Sequence, residues 1–285
     1  MNFFEYVQKP GSIPPDFPTL EEKLRYYRRL GHWVPSRKMI KTAEQIEGIR
    51  QSGEINTAVL DAVASYIRAG ISTEAVDRLV YDFTVSKGAV PAPLHYENFP
   101  KSVCISINEE VCHGIPDSSI ILKEGDIVNV DVSTVFNGYY SDASRMFMIG
   151  EISEERRRLV QVTRECLELG IEAARPWGFL GDIGEAIQKH AESQGYSVVR
   201  DFCGHGVGLQ FHEQPEVEHT GKKNTGMLLV PGMVFTIEPM INMGRSEIFI
   251  DSDNEWTVIT ADGLPSAQWE NTLVITESGT EILTY

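Results

Sequence analysis

Residues 126–148 read Asp-Ile-Val-Asn-Val-Asp-Val-Ser-Thr-Val-Phe-Asn-Gly-Tyr-Tyr-Ser-Asp-Ala-Ser-Arg-Met-Phe-Met. Val128, Val130 and Val132 alternate with polar neighbours, Asn137-Gly138 interrupts the run, and a second extended run follows from Tyr139 to Met148. Asn-Gly between apolar runs is the strongest short-range signal for a hairpin. If those two residues are the loop, Phe136 faces Tyr139 and Ser133 faces Asp142. Opposed residues share a face of the sheet, and so do residues two apart on a strand. Asp131, Ser133 and Asp142 are then expected on one face, with the two carboxylate roots about 7–8 Å apart. A longer loop would shift this register by one residue. Two acids on a core face need compensation, either from Arg145 close by in the chain or from one or two cations held between them.

Upstream, Thr42 and Gln45 have capping-box spacing. Ile46, Ile49, Val59, Leu60, Val63 and Ile67 then follow at helical spacing, and Gly70 is a stop. A second helix is expected from about Thr73 to Lys87, then a short strand around Val103–Ile107 before the hairpin. Downstream the order repeats. One helix is expected from Ser153 to about Ala174 and another from Asp182 to Gly195. Strands follow at Met233–Ile241, Trp256–Thr260 and Trp269–Thr276. Two halves, each with helices segregated from antiparallel strands, make an α+β domain with a cleft between the sheets.

Two further clusters carry chemistry. Gly204-His-Gly-Val-Gly-Leu-Gln-Phe-His-Glu-Gln-Pro215 holds His205 and His212 on a glycine-rich segment that permits close backbone approach. Glu238 (in Val234-Phe-Thr-Ile-Glu-Pro239) and Glu270 (in Gln268-Trp-Glu-Asn-Thr272) interrupt apolar strand patterns, where glutamate is rare. One imidazole and four carboxylates suit manganese, iron, cobalt or zinc. Four carboxylates also carry the charge of two divalent ions, and paired metals activate a bridging water.

The whole chain has 285 residues with 42% hydrophobic and 23% charged, ordinary for a soluble globular protein. No apolar run approaches a membrane span, and the first thirty residues do not read as a signal peptide. The four cysteines form no C-x-x-C pair, which fits a reducing cytoplasm. A net charge of −16 makes general DNA binding a poor reading. Residues 23–41, however, hold seven Lys or Arg and no acid. Residues 1–20 hold Pro10, Pro14, Pro15 and Pro18 and read as an extended arm.

From about residue 38 to the C-terminus the chain resembles methionine aminopeptidase of type I. The segments that carry the resemblance are Phe99-Pro-Lys-Ser-Val-Cys-Ile-Ser-Ile-Asn-Glu109, Cys112-His-Gly-Ile-Pro-Asp117, Asp126–Val132, Gly204–Gly208 with Phe211-His-Glu213, Phe235–Pro239 and Ser266-Ala-Gln-Trp-Glu-Asn-Thr272. His205 and Glu238 lie only 33 positions apart, without the long insertion of the type II enzymes. The resemblance implies a pita-bread fold of two pseudo-symmetric halves over residues 42–285, preceded by the Pro-containing arm and basic segment 1–41. It implies two divalent metal ions (Co2+, Mn2+, Fe2+ or Zn2+) on Asp131, Asp142, His205, Glu238 and Glu270, and a monovalent cation near Asn108 and Ser266.

The activity it implies is removal of the initiator methionine from nascent chains whose second residue is small, by a metal-activated water. Glu238 would be the general base, His212 would contact the scissile carbonyl, and His113 the backbone at the leaving amine. Tyr96, Phe99, Cys104, Phe211 and Trp256 would line the methionine pocket. The resemblance implies a monomer. The basic run 23–41 reads either as a contact to ribosomal RNA or as a clasp onto the acidic body. A proline-specific peptidase of the same fold, or a non-catalytic binding descendant, is the alternative.

Overall fold

The computed structural model describes residues 17–285; most of the proline-rich arm, with Pro10, Pro14 and Pro15, lies outside them. The basic run begins in helix α1 (Leu20–Arg29), capped by the Thr19 side chain on Glu22 N–H. Leu24 points into the core, Tyr27 stacks on Trp177 with centroids 5.7 Å apart, and Lys23 Nζ sits 3.5 Å over the Trp177 ring.

Helix α2 (Ala43–Tyr66) starts where the capping box required: Thr42 caps Gln45 N–H and Gln45 caps Thr42 N–H. Its buried stripe of Ile49, Val59, Leu60 and Val63 follows helical spacing. Helix α3 (Thr73–Ser86) packs beside it, capped by Ser72. Then come the strands β1 (Val90–Pro91), β2 (Cys104–Ile107), β3 (Glu110–Cys112), β4 (Ile127–Phe136) and β5 (Tyr139–Met148). β4 pairs antiparallel with β1, β2 and β5. The hairpin register is the one expected, Phe136 opposite Tyr139 and Ser133 opposite Asp142. Asn137 and Gly138 both take positive φ, 51° and 82°, as a primed two-residue turn requires.

In the second half α4 (Glu154–Ala173) and α5 (Leu180–Ser193) pack together. α5 starts two residues before the expected Asp182, because the Asp182 carboxylate reaches back to accept the Phe179 N–H. Strands β6 (Ser197–Val198), β7 (Gly204–Gly206), β8 (Glu213–Val217), β9 (Val234–Ile237), β10 (Met240–Asn242), β11 (Ile248–Ile250), β12 (Val258–Thr260), β13 (Ser266–Gln268), β14 (Asn271–Ile275) and β15 (Thr280–Ile282) complete the chain. They form sheets in the orders β15-β14-β9-β7-β8, β13-β10-β6 and β11-β12-β3.

The single strand expected over Met233–Ile241 is therefore two, β9 and β10. The strand expected from Trp269 is likewise β14, with β13 before it. Pro239 has no N–H to give a ladder, and the chain passes there from one sheet to another. Ile237 pairs with Asn271 and Met240 with Gln268, so the uniform register sets Glu238 across from Glu270. Both glutamates sit at this sheet junction rather than inside a strand.

Each half has its own apolar core, one around Val59, Val80, Val103 and Val130, the other around Leu159, Ile183, Leu229 and Phe235. Thr272 joins them: its hydroxyl donates to Asp142 O at 2.8 Å and accepts Asp142 N–H at 3.0 Å. Asn129 adds a bond from its amide to Gln268 O at 2.8 Å. These bonds fix the cleft between the halves.

Candidate metal centre and substrate cleft

The hairpin supplies the first two carboxylates. Asp131 and Asp142 share the face that the register demands, and Ser133 Oγ donates to Asp142 Oδ1 at 2.7 Å. Arg145, the alternative compensator, points elsewhere: its Nη1 donates to Asp61 at 2.7 Å and its guanidinium also holds the Tyr285 carbonyl. Cys104 of β2 lies opposite Asp131 and so borders the same face.

β7 brings His205 against them. His205 Nε2 lies 3.6 Å from Asp142 Oδ2 and 3.7 Å from Glu238 Oε1. Its Nδ1 is 3.0 Å from the Gly206 carbonyl. A carbonyl can only accept, so Nδ1 carries a proton and Nε2 is the ring nitrogen turned to the carboxylates. Donor atoms of Asp142, His205 and Glu270 lie within 4.8 Å of one another. Asp131 Oδ1 and Glu270 Oε1 are buried and have no hydrogen-bond partner among the described residues.

Electrostatics make this cluster costly as it stands. Burial, then the charges of Asp142 and Glu238, hold Asp131 well above the usual carboxylate range. Glu270 is raised well above its range for the same reasons, and burial first raises Glu238 to about 7. His205 is pulled both ways. Burial lowers it, while its bond to Asp142 and the Glu238 charge raise it more, to about 9. Excess buried negative charge, orphaned oxygens and an imidazole Nε2 aimed at them, whose proton a metal would displace, are what a bound divalent cation would satisfy, and these residues fit one.

A cleft of about 480 Å³ opens over the cluster and brings together every residue expected to touch substrate. Phe99 and Trp256 meet edge to face at 5.1 Å, and Tyr96 and Phe211 at 4.9 Å. Cys104 completes that apolar and sulfur wall. His212 sits at the mouth, 4.3 Å from the His205 ring, with Nδ1 3.1 Å from the Tyr96 hydroxyl. Its pKa is lowered, by burial and then by the His205 charge. His113, in a left-handed conformation (φ 58°), lies 6.1 Å from Trp256 and is lowered by burial to about 4. Both are neutral near pH 7. Asn108 and Ser266 lie outside this cleft but are brought together, Ser266 N–H donating to Asn108 O at 2.8 Å. Arg156 and Asp126 engage the Asn108 side chain at 2.8 and 2.9 Å.

Sequence reasoning missed the residues that hold Glu238 in place. Thr236 Oγ donates to Oε1 at 2.9 Å and Gln268 Nε2 to Oε2 at 3.1 Å. The Glu238 N–H donates to Nε2 of buried His219 at 3.1 Å. Gln268 precedes Glu270 by two residues, a period-2 signal that could have placed it on the same face. His219 gave no signal, because its contact to Glu238 is purely tertiary. Phe202 and Cys203 also line the cleft.

Comparison with known proteins agrees with this geometry. The profile of Metallopeptidase family M24 matches residues 47–277. Methionine aminopeptidase A of Synechocystis sp. is 52% identical over 240 residues, covering 84% of this chain and 94% of that protein. The crystal structure of methionine aminopeptidase from Rickettsia prowazekii superposes with a TM-score of 0.85 at 44% identity, covering 86% of this chain and 99% of that one. The prolidase from Pyrococcus furiosus shares the fold at a TM-score of 0.68 with 26% identity, covering 87% of this chain and 65% of its own. The fold is thus the pita-bread α+β fold, and the chain belongs to metallopeptidase family M24, among the methionine aminopeptidases of type I.

Proposed function

We propose that this protein removes the initiator methionine from nascent chains with a small second residue, in the cytoplasm and as a monomer. One observation carries the reading: the imidazole–carboxylate cluster forms the floor of a cleft whose wall is the Tyr96–Phe99–Cys104–Phe211–Trp256 surface suited to a thioether. Asp131, Asp142, His205, Glu238 and Glu270 would hold two divalent ions, which when bound supply Lewis acidity to the scissile carbonyl and acidify a water. The Glu238 carboxylate takes the water proton and returns it to the leaving amine. Neutral His212, oriented by the Tyr96 hydroxyl, donates to the carbonyl oxygen as negative charge develops there. His113 contacts the backbone at the leaving amine. The carboxylates beside the wall receive the free α-amine, which an internal peptide bond cannot offer.

The expected result is methionine release from Met-Ala-Ser that stops on metal stripping and returns with manganese, cobalt or iron. Cleavage of Ala-Pro-Ala alone would move the assignment to the proline-specific peptidases, which the 52% identity to a methionine aminopeptidase does not favour. No release from either peptide, with metal bound, would favour the binding descendant.

The basic segment supports a ribosome contact in part. Lys41 is buried and paired with Glu213, and Lys23 lies on Trp177. Among the described residues Arg25, Arg28, Arg29, Arg37 and Lys38 are exposed, as a contact to RNA phosphate needs. Deleting 1–41 would also remove Leu24 and Lys41 from the body, so the cleaner test is R25E/R28E/R29E. Its co-sedimentation with ribosomes should fall at low salt; co-sedimentation equal to wild type would sink the contact.

A further inference from the structure

His212 and Phe211 stand on a tight turn, and what holds that turn is a buried ion pair at its back. Glu213 Oε1 accepts two backbone N–H groups of the turn, Leu209 at 2.7 Å and Gln210 at 3.2 Å. Glu213 Oε2 accepts Lys41 Nζ at 2.6 Å. The Lys41 side chain is 1% exposed and the Glu213 side chain 15%. Lys41 is itself anchored, its N–H donating to Gly232 O at 2.8 Å. The turn starts at Gly208 with φ +137°, where a Cβ would run into Ile49 Cδ1 of α2. Gly208 O also accepts the Tyr140 N–H at 2.8 Å. On the cleft side the same turn stacks Phe211 on His212 at 4.3 Å and sets Phe211 4.9 Å from Tyr96.

The geometry points to Glu213 as a positioning residue for substrate capture, with Lys41 as its buried counter-charge. Glu213 touches no substrate. It holds the two N–H groups that give the turn its shape, and the turn presents Phe211 to the side chain and His212 to the carbonyl. Lys41 offsets the cost of burying that carboxylate. The inference rests on the proposed methionine release for its kinetic readout.

Two neutral double variants isolate the acceptor. K41M/E213Q removes both charges and keeps an oxygen on Leu209 and Gln210. K41M/E213L has nearly the same volume and no acceptor. With the full chain and manganese, K41M/E213Q should show a KM for Met-Ala-Ser within about threefold of wild type, while that of K41M/E213L rises about tenfold or more. A smaller folded fraction would lower Vmax and leave KM alone, so stability by itself cannot mimic this. Amide hydrogen exchange in the peptide spanning 206–213 should be about tenfold faster in the Leu variant than in the Gln variant. Equal exchange in the two, or faster exchange with equal KM, overturns the inference. Absence of methionine release by the wild type, with exchange still differing, would instead count against the activity and leave Glu213 as the residue that shapes the turn.

Discussion

Glu238→Gln is expected to lower kcat for Met-Ala-Ser by about 10³-fold or more, at the upper part of the range for losing a general base. Glu238 lines the cleft with its carboxylate held by Thr236 Oγ and Gln268 Nε2, and burial raises it above the ordinary carboxylate range in the metal-free protein. Asp131 and Glu270 are raised too, first by burial and then by the neighbouring carboxylate charges. Glutamine keeps the volume and the bond from Thr236 Oγ. It sets an NH₂ against the Gln268 amide unless one of them turns, and it cannot accept a proton. At saturating manganese, which offsets the weakened metal ligation, the loss should fall on kcat more than on KM, since Glu238 is not part of the aromatic wall. Steady-state kinetics beside a thermal melt decides the matter: activity within tenfold of wild type at an unchanged melt would remove Glu238 as the base.

Glu270→Gln should have opposite effects on the metal-free and metal-loaded protein. The folded protein holds the Glu270 acid well above 4.5, first through burial and then through the charges of Asp142, Glu238 and Asp131. A carboxyl raised on folding favours the folded state only while protonated. Its contribution is full below about 4.5 and is lost as pH rises toward the folded value, at up to about 1.4 kcal/mol per pH unit. Glutamine has no such loss. The stripped Gln variant should therefore melt above stripped wild type at pH 8, by an amount that shrinks toward pH 5. Comparing the two proteins at each pH cancels His113, His212 and His219, whose lowered values give stability the reverse slope. With saturating manganese the order should invert, because wild type gains more binding free energy. A stripped Gln variant that melts below wild type at pH 8 would mean that the Glu270 carboxylate is a structural group of the sheet junction.

The readable parts of the sequence were local ones. Thr42 and Gln45 announced α2 because a capping box is complete within four residues. Asn137-Gly138 set the register of β4 and β5 because two adjacent positive φ values admit few other residues, and that register placed Asp131 and Asp142 together. The chemistry of the site was readable too, since acids and histidines in apolar or glycine-rich segments need an explanation wherever they occur.

What chain order could not supply was the meeting of distant segments. Glu238 and Glu270 looked like residues within strands. Only the pairing of β9 and β10 with β14 and β13 shows that they face each other at a junction between sheets, where Pro239 breaks the ladder. His219, Thr236 and Gln268 became visible through their bonds to Glu238, and Glu213 through Lys41, 172 positions away. The sequence by itself therefore determined which groups are present and which short elements carry them, because caps, turns and alternation are decided by neighbours in the chain. Tertiary structure alone decided which groups hold the Glu238 carboxylate and which turn presents His212. Those depend on burial and on hydrogen bonds between residues far apart in sequence.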